Sequence, residues 1–504
     1  MTIALTTADH PEQATASRAI HGRLLAVHDA FGIESPETVR ADLGALFEAV
    51  VLHVAAERAT LGETWLLLIG LTGCFPEQLQ VRTVRRQLDL LSTPDAMRWL
   101  LTHCQQSARE RGSPLANLEI VTDRALVDVN VSAKWPHLTG VQRVVRETAR
   151  LWQGRDHVEL TVWNDRDGAY RRLNDQERLR IDGLSKAESP EVLELVEPDA
   201  REEDTILVPW GAPLVLLEVP FTEHAGMLAA VAEFAPSPVR VVGYDCIPAS
   251  SADLTPDVEP EKFGMYLEIV KFADKVAAIS RSSAEEFRGF GAALAAQGLQ
   301  SPELTACPLP TETAISEYAP STGPAPGERP VVLTVGSLGL RKNQTTLLVA
   351  AEMLWREGID FELRLLGHTG GARAVLTRLI DRLEKAGRPL TIERRANDDR
   401  VAESLAEARC VAFPSFHEGF GLPVVEALSV GVPVVTSNHG ALLEIAEGGG
   451  TILVDPEDPS RIADGLRQLL TDDEFHARMV AEARARPVRT WNEYADDLWA
   501  ELGW

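Results

Sequence analysis

Through the first 116 residues, apolar side chains recur every three or four positions, the spacing that places them on one face of an α-helix. Ser35-Pro36 and Ser92 to Asp95 indicate helix starts, because serine can cap free N–H groups and proline is tolerated in the first turn. No stretch here predicts a strand. We therefore expect an N-terminal all-helical accessory domain over residues 1–116, which packs or docks and carries no chemistry.

From about residue 118 the period changes, and short β-rich runs alternate with longer helical stretches, which predicts a parallel sheet flanked by helices. The runs of this region are Leu126–Val131, Val158–Trp163, Thr205–Val208, Val239–Tyr244 and Val276–Ile279. Residues 317–330 then carry four prolines and two glycines in fourteen positions, which favours neither a helix nor a central strand. We interpret residues 117–320 as a Rossmann-like domain that ends at this linker.

The alternation restarts after the linker and predicts a second doubly wound domain over residues 330–487. Its strand-like runs are Val331–Val335, Leu363–Leu366, Leu390–Glu393, Cys410–Phe413, Pro433–Thr436 and Thr451–Val454. Two such sheets leave a cleft between the carboxyl ends of their strands, where open α/β sheets bind ligands. The predicted fold class is therefore α/β, with two Rossmann-like doubly wound domains facing across a cleft.

Composition supports a multidomain globular protein. The chain has 504 residues, of which 45% are hydrophobic and 25% charged, so two or three domains with ordinary cores are expected. Seventy-five acidic residues against forty-nine basic ones give a formal charge of -26, which repels phosphate backbones at long range. We therefore expect no nucleic-acid partner.

Cysteine usage and hydropathy indicate the compartment. The five cysteines are far apart and form no C-x-x-C pair, so neither a disulfide framework nor a zinc site is predicted. The N-terminus lacks the features of a secretory signal, and the longest apolar stretch is about half of the ~20 residues needed to span a bilayer. We expect a cytoplasmic protein whose membrane contact is at most peripheral, at the inner face of the membrane.

The strongest chemical signal is FPSFHEGFGLPVVEAL, residues 413–428, between a predicted strand and a helix. Gly419 and Gly421 allow close backbone approach and positive φ, and Pro423 suits the first turn of a helix. The free amides at such a helix start, together with the helix dipole, can bind a phosphate. Glu418 would then lie in the loop at the mouth of this anion-binding site.

Glu426 falls in the first turns of the same helix, where a carboxylate can accept two charge-assisted hydrogen bonds from a vicinal diol such as a ribose. One motif could thus hold both ends of a nucleotide sugar. The alternative is that Glu426 only complements the helix dipole and Glu418 is a solvated loop residue. Their joint context favours the functional interpretation. His417, beside Glu418, is interpreted as a wall residue of the site and not as a proton carrier.

The second signal is VVLTVGSLGLRKNQTTLL, residues 331–348, at the first strand of the second domain. Gly336 ends this strand, and Arg341 and Lys342 precede a helix that begins near Asn343. Two cations at a strand-to-helix turn can neutralise a diphosphate, both when it is bound and when it departs as a leaving group. The alternative is a solvated basic pair.

These residues resemble the nucleotide-sugar domain of family-4 retaining glycosyltransferases, which have the GT-B fold. The similarity spans about 330–487. The hallmark of that family is a pair of glutamates separated by seven residues, within a segment that contains glycine and proline at set positions. The segments that carry it are Gly336, RKNQ at 341–344, Gly367, PSFHEGFGLPVVEAL at 414–428, GVPVVTSNHGALLEI at 431–445 and ILVDPEDPSRIADGL at 452–466.

The resemblance implies a role for each matching position. Glu426 would hold the donor ribose, and Glu418 would contact the transferred sugar. Arg341 and Lys342 would grip the diphosphate. The backbone lining the donor would be that of Gly336, Gly419, Phe420, Gly421 and Leu422.

The N-terminal half resembles a subgroup of these enzymes that builds bacterial surface polysaccharides, through TGVQRVVRE (139–147) and VVGYDCIPAS (241–250). The first motif would be the loop after strand one, with Gly140 close to the donor phosphates. Asp245 is a candidate for the catalytic centre, although many relatives have histidine where this chain has Tyr244. A buried, capping Asp245 is the alternative. Ser280 resembles a residue that ends a strand and caps a helix.

The resemblance implies three further features. Residues 117–320 would be the acceptor domain, residues 330–487 the nucleotide-sugar domain, and residues 488–504 a C-terminal helix that crosses back onto the first Rossmann-like domain. The reaction would move a sugar to a hydroxyl of a glycan, lipid-linked or other acceptor in bacterial surface polysaccharide or glycoconjugate biosynthesis. Mannose from GDP-mannose is the first expectation for the donor, and UDP- or dTDP-linked sugars remain open. Configuration would be retained, and neither a cofactor nor a metal ion would be needed.

The alternative is a non-catalytic GT-B scaffold or carbohydrate-binding partner in an assembly complex. Such a protein should have lost some of the donor-site residues, yet Glu418, Glu426, Arg341 and Lys342 are all present. A Rossmann oxidoreductase would need a glycine fingerprint after a first strand and an acidic residue about 20 positions further on, and neither domain shows one. We therefore favour the enzyme.

Overall fold

The structure is a computed structural model that describes residues 11–136, 139–183, 205–313, 315, 329–367, 374–394 and 396–503. The chain divides into two compact units. The first is Met1–Val242, Met265–Val276 and Leu294–Glu303, and the second is Gly243–Gly264, Ala277–Ala293 and Leu304–Trp504. The predicted linker lies outside the described residues except for Arg329 and Pro330. The domain boundaries drawn from the sequence stay predictions.

The described part of the N-terminal segment is helical, as predicted. Its helices are α1 (Pro11–Ala30), α2 (Glu37–Ala41), α3 (Leu43–Val54), α4 (Leu61–Thr72), α5 (Gln78–Leu90) and α6 (Thr93–Glu110). The predicted starts are confirmed, because α2 directly follows Pro36 and α6 directly follows Ser92. A capping box starts α4: the hydroxyl of Thr60 accepts the amide of Glu63 at 3.1 Å, and the Glu63 carboxylate accepts the amide of Thr60 at 2.6 Å.

The first sheet has nine strands in the order β1-β5-β4-β3-β2-β6-β7-β8-β9. They are β1 (Asn117–Val121), β2 (Ala125–Asp128), β3 (Val158–Asn164), β4 (Ala169–Arg172), β5 (Thr205–Pro209), β6 (Leu214–Leu216), β7 (Val239–Gly243), β8 (Lys275–Ala278) and β9 (Glu303–Ala306). The prediction of a parallel sheet is wrong for β4, which runs antiparallel to β3 and β5. A tight turn, closed by the amide of Gly168 donating to the carbonyl of Asn164 at 2.8 Å, joins β3 to β4, and so short a connection returns antiparallel.

The predicted strand Leu126–Val131 is too long, because β2 ends at Asp128 and a short helix, α7 (Asn130–Lys134), follows. The Asp128 carboxylate accepts the amide of Asn130 at 2.9 Å, and the Glu218 carboxylate accepts the amide of Ser132 at 3.2 Å. These bonds occupy N–H groups that a strand would have paired. The next helices are α8 (Gly140–Trp152), α9 (Asp175–Ile181), α10 (Thr222–Phe234), α11 (Ile247–Ser250), α12 (Glu259–Val270) and α13 (Arg281–Ala295).

The N-terminal helices and the first sheet share a core inside the first unit. Phe75, which follows α4, packs edge-on against Trp163 of β3 and Tyr170 of β4, with ring centroids 5.6 and 6.1 Å apart. The buried guanidinium of Arg23 in α1 donates to the carbonyl of Ala116 at 2.7 Å, immediately before β1. The predicted boundary at residue 116 thus falls inside a compact unit.

The second sheet is fully parallel, with six strands in the order β12-β11-β10-β13-β14-β15. They are β10 (Val331–Val335), β11 (Glu362–Leu366), β12 (Leu390–Glu393), β13 (Ala408–Phe413), β14 (Val434–Ser437) and β15 (Thr451–Val454), which confirms the six predicted strands. The order reverses between β10 and β13. Loops that follow the two strands at such a reversal form the usual ligand-binding crevice of a doubly wound sheet.

Helices flank the second sheet and end the chain. They are α14 (Gln344–Arg356), α15 (Ala374–Lys385), α16 (Asp398–Glu407), α17 (Leu422–Ser429), α18 (Gly440–Ala446), α19 (Pro459–Thr471), α20 (Asp473–Arg484) and α21 (Trp491–Glu501). In α21, Tyr494 and Leu498 are buried, and the amide of Trp491 donates to the carboxylate of Glu312 at 2.7 Å. The predicted crossing of this helix onto the first Rossmann-like domain stays a prediction.

Two further properties bear on the sequence-based expectations. Among the described residues, no helix combines the length and the apolar character needed to cross a bilayer. Each of the five cysteines is a buried free thiol, and the described ranges contain no group of three or more His, Cys, Asp or Glu side chains placed to hold a metal ion.

Candidate active site

The loop between β13 and α17 carries the first sequence motif. Gly421 has φ of 117°, a conformation that favours glycine, and a Cβ there would lie 2.7 Å from Cδ2 of Leu442. Helix α17 starts at the next residue, with Pro423 in its first turn. The backbone amides at this helix start are the anion-binding groups expected from the sequence.

Glu418 of this loop is held by both cations of the second motif. Its carboxylate accepts a hydrogen bond from Nη1 of Arg341 and another from Nζ of Lys342, each at 2.6 Å. The Glu418 side chain is 8% exposed, compared with 28% for Arg341 and 13% for Lys342. The structure thus brings together three predicted site residues in one ion cluster that carries one net positive charge.

The protonation of this cluster follows from burial and charge. Burial by itself would raise the pKa of Glu418, but the charges of Lys342 and Arg341 outweigh it and hold that pKa below its ordinary value. Burial lowers the pKa of Lys342, although the Glu418 carboxylate opposes this shift. The ammonium also lies 4.8 Å from the centroid of the Phe413 ring, a cation–π distance.

The two loops are joined by backbone as well as by charge. A single 3-10 turn, Leu340–Lys342, presents the cations, and Asn343 follows it with φ of 56°. Nδ2 of Asn343 donates to the carbonyl of Pro414 at 3.0 Å, and the amide of Phe416 donates to the carbonyl of Arg341 at 2.9 Å. The reversal of strand order therefore converts two distant sequence motifs into one rigid site.

Asp245 lies against the same loop, inside the second unit. A Cβ on Gly419 would be 3.0 Å from Oδ2 of Asp245 and 2.7 Å from the carbonyl oxygen of Tyr244, so only glycine fits here without movement. Asp245 also accepts the amide of Ile247 at 3.1 Å, the capping role that was the sequence alternative. Burial raises the pKa of this carboxyl above its ordinary value.

His417 has partners that the sequence did not reveal. Its Nδ1 lies 2.8 Å from the hydroxyl of Ser251, and its Nε2 contacts the carboxylate of Glu286 on α13. The hydrogen bond to Glu286 raises the pKa of His417. The Glu286 carboxylate also accepts the amide of Cys246 at 2.6 Å. Ser251 and Glu286 belong to no motif and are recognised only from this packing.

Gly336 and Glu426, two further residues of the predicted donor site, both lie in the second unit. Gly336 directly follows β10, and its amide donates to the carbonyl of Leu366 at 2.8 Å. Glu426 is in α17 and is 7% exposed. The roles given to these two residues, and to Phe420 and Leu422 at the start of α17, stay predictions.

Gly140 differs from its expectation. It was placed in a loop after strand one, but it is the first residue of α8, and TGVQRVVRE is helical from that point. The side chain of Gln142 accepts the amide of Thr139 at 3.3 Å, which starts the helix. Gly140 lies in the first unit, whereas the other candidate residues lie in the second. Its contact with donor phosphates stays a prediction.

Comparison with known proteins places this site in a family context. Residues 319–486 match the family model "Glycosyl transferases group 1". The serotype-specific mannosyltransferase WbdA of Escherichia coli is 26% identical over 396 residues, which are 76% of this chain and 45% of that protein. The O-antigen chain mannosyltransferase B of Escherichia coli is 38% identical over 155 residues, 30% of this chain and 39% of that protein. The chain thus spans less than half the length of these curated relatives.

Solved structures show the fold. A sucrose-phosphate synthase from Thermosynechococcus elongatus has a TM-score of 0.53 at 16% identity, covering 75% of this chain and 98% of that chain. HepE of Anabaena, in complex with UDP and glucose, has a TM-score of 0.51 at 16% identity with the same coverage. The fold of this chain is the GT-B fold, as the sequence predicted.

Proposed function

We propose that this protein is a retaining glycosyltransferase that moves a sugar from a nucleoside diphosphate sugar to an acceptor hydroxyl, because residues 319–486 match the family model of group 1 glycosyltransferases. The observation that carries this proposal is the ion cluster of Glu418, Arg341 and Lys342 beside the amides that start α17. Cations and free amides converge there at the reversal point of a parallel sheet, which is where such folds bind phosphate-bearing ligands.

The mechanism that fits these residues is a front-face displacement. The bond between the anomeric carbon and the phosphate oxygen breaks, and a bond to the acceptor oxygen forms on the same face. The acceptor proton passes to the departing diphosphate oxygen. Arg341, Lys342 and the amides at the start of α17 stabilise the charge that grows on the diphosphate, which is electrostatic catalysis by preorganised donors.

Glu418 has a role both in the free site and in the site with a bound donor. Without a donor it neutralises one of the two cations. When a diphosphate takes over Arg341 and Lys342, the carboxylate is freed to accept hydrogen bonds from hydroxyls of the transferred sugar. Glu426 accepts from the ribose diol in this scheme. The reaction uses no metal ion and no cofactor, and no residue serves as a covalent nucleophile.

For the donor we propose GDP-mannose, because two similar proteins are named mannosyltransferases. The structural neighbour that binds UDP and glucose makes UDP-glucose the comparison compound. The acceptor is a hydroxyl of a glycan, lipid-linked or other glycoconjugate of a bacterial surface polysaccharide. In this proposal the protein acts in the cytoplasm, with at most peripheral contact at the inner face of the membrane.

Thermal unfolding with GDP-mannose, UDP-glucose and dTDP-glucose tests this function. A donor at a hundred times its dissociation constant should stabilise the folded protein by about 2.7 kcal/mol. NMR of the anomeric signals should then show that the product keeps the configuration of the donor, and EDTA should leave the rate unchanged. A protein that none of the nucleotide sugars stabilises, or that inverts the sugar, contradicts the proposal. Binding without turnover identifies the non-catalytic alternative.

A further inference from the structure

Two buried serines at the start of α13 contact the candidate active site. Ser280 and Ser283 are each 1% exposed. The hydroxyl of Ser280 lies 2.7 Å from the carbonyl oxygen of Gly419, and that of Ser283 lies 2.7 Å from the carbonyl oxygen of Tyr244 and 3.0 Å from that of Gly419. Capping of α13, the role expected for Ser280, is therefore only part of what these side chains do.

Proton counting assigns the bonds. A serine hydroxyl has one proton to donate and two lone pairs that accept. Oγ of Ser280 accepts the amide of Ser283 at 2.9 Å, which caps α13. Its own proton has two acceptors within reach, the Gly419 carbonyl at 2.7 Å and Oγ of Ser283 at 3.0 Å, and we assign it to the nearer one, the carbonyl. The proton of Ser283 then goes to Tyr244, at the shorter of its two carbonyl distances. With this assignment both carbonyl oxygens have a donor.

The two carbonyls flank the acidic residues of the site. Tyr244 immediately precedes Asp245, and Gly419 immediately follows Glu418. The described chain has no cis peptide bonds, so the N–H of Phe420 points away from the Gly419 carbonyl and hence away from the serines. No hydrogen bond is recorded for the Phe420 amide within the described residues, which leaves this N–H as a free donor at the start of α17.

We propose that Ser280 and Ser283 are positioning residues that fix the Gly419–Phe420 peptide and the Asp245 turn against each other, so that the Phe420 amide is aimed at the departing diphosphate. This inference rests on the proposed glycosyltransferase function. It explains why the contact needs glycine at 419, since a Cβ would collide with the Tyr244 carbonyl that Ser283 holds. The serines touch no reacting atom and act through the backbone of the loop.

The test compares Ser280→Ala and Ser283→Ala with Thr436→Val. Thr436 is a matched control, because it is also buried and its hydroxyl donates to a loop-end carbonyl, that of Phe413, at 3.0 Å. Hydrolysis and transfer of GDP-mannose give kcat and KM, calorimetry gives the affinity for GDP, and thermal unfolding gives stability. Each variant loses a buried hydroxyl–carbonyl bond, and Ser280→Ala also loses the cap that accepts the Ser283 amide, so the comparison rests on kcat and not on stability.

We expect Ser280→Ala to lower kcat about tenfold to a hundredfold, because a misdirected donor approaches the loss seen when such a donor is removed, with GDP affinity changed less than threefold. Ser283→Ala should act in the same direction but less, since Ser280 still holds Gly419. Thr436→Val should keep wild-type kcat. Equal kcat in all three variants, or a change in KM alone, overturns the proposal.

A measurement on the unaltered chain covers the case in which Ser280→Ala does not fold. Hydrogen exchange of the peptide that contains Phe420 should slow when GDP is added, and unchanged exchange overturns the proposal. A wild-type protein that neither binds GDP nor hydrolyses GDP-mannose, and is equally inert to UDP and UDP-glucose, refutes the proposed function and this inference with it. An active wild type with an unaffected Ser280→Ala variant refutes the serine role alone.

Discussion

Each compact unit contains a buried glutamate whose carboxylate accepts hydrogen bonds, and the two glutamates differ in protonation. Glu418 in the second unit is 9% exposed and Glu218 in the first is 2% exposed. Glu418 faces Arg341 and Lys342, and its pKa is lowered. Burial and the neighbouring Asp128 raise the pKa of Glu218 to about 8.

Burial favours a raised pKa for both carboxyls, and the difference shows that the neighbouring charges decide whether this rise is reversed, as in Glu418, or reinforced, as in Glu218. Glu218 accepts from the hydroxyl of Ser132 at 2.8 Å, and Asp128 accepts from the hydroxyl of Tyr170 at 2.8 Å, but neither meets a cation in these bonds. One proton on this acid pair therefore relieves the repulsion between them. The same residue type thus accepts bonds from hydroxyl and amide groups in one unit and pairs with two cations in the other.

The largest change to this comparison removes the N-terminal helices that share a core with the sheet of the first unit, which contains Glu218. A chain beginning at Asn117 lacks Arg23 and Phe75, and it removes the Phe75 ring that packs on both Trp163 and Tyr170. We expect this truncated chain not to fold, as judged by circular dichroism and gel filtration, because it exposes part of the core of the first unit. A folded truncation that still hydrolyses GDP-mannose would establish residues 1–116 as an independent accessory domain.

Removing one cation from Glu418 tests its side of the comparison. Arg341→Ala or Lys342→Ala should lower kcat on the order of 10² to 10³, because each acts on charge that grows in the transition state. Steady-state kinetics with GDP-mannose measure this loss. Arg467→Ala is the control, since Arg467 pairs with Glu357 away from the site. A pure rise in KM would instead mean that the cations bind donor and transition state equally.

A third buried glutamate sharpens the comparison, because its expected partner is a neutral diol. Glu426→Ala should weaken GDP binding, since the ribose would lose two charge-assisted bonds worth roughly 1.5 to 3 kcal/mol each. Calorimetry with GDP measures the change, and Glu426→Gln should retain part of the affinity. Unchanged affinity for GDP and UDP in the alanine variant would remove the ribose assignment.

The smallest effect concerns stability against pH. The pKa of Glu218 lies at about 8 in the folded protein, above the ordinary value of 4.5, so the folded state binds more protons and stability falls as pH rises between these values. Glu218→Gln should flatten that decline, whose slope for one such group is about 1.4 kcal/mol per pH unit. Urea unfolding from pH 5 to pH 8 measures it.

Glu418→Gln is the control for this titration. The pKa of Glu418 is lowered on folding, so its contribution is present above its unfolded pKa and is lost only as pH falls through the lower folded value. The slope between pH 5 and pH 8 should therefore survive in this variant. If Glu218→Gln also keeps that slope, the acid pair is not protonated in the way described.

How much of the fold could be predicted from the sequence depended on the length and the hydrophobic pattern of each element. Strand β10 is buried along most of its length and appears as a continuous apolar run, whereas β12 and β15 are partly exposed short β-rich runs. All three were predicted with the observed bounds. The three-residue strand β6, the hairpin strand β4 and the two edge strands β1 and β9 were missed, because short strands lack a measurable period. The hydrogen bonds that place Asn130 and Val131 in a helix and not in a strand are not evident from residue propensities.

The candidate site was likewise predicted only in part. Local motifs identified Glu418, Arg341 and Lys342, because glycine, proline and charge patterns are short-range. That the carboxylate pairs with cations 76 and 77 positions away depends on β10 and β13 being neighbours, which motif spacing does not state. Ser251 and Glu286 were missed altogether, since nothing in a helix or loop sequence marks a residue whose partner is a histidine more than a hundred positions further on.

The second unit is built from segments of both halves of the chain, and this affects how domains can be exchanged between relatives. Gly243–Gly264 and Ala277–Ala293 precede the linker in sequence, yet they belong to the compact unit of the C-terminal half. A chimaera joined at residue 320 would combine a foreign donor half with Ser280, Ser283 and Glu286 from this chain. The residues of the foreign half at the positions of Gly419 and His417 would then contact side chains from this chain, which are matched to a different loop. Donor specificity should therefore transfer between relatives only when these two upstream segments are exchanged together with the C-terminal half.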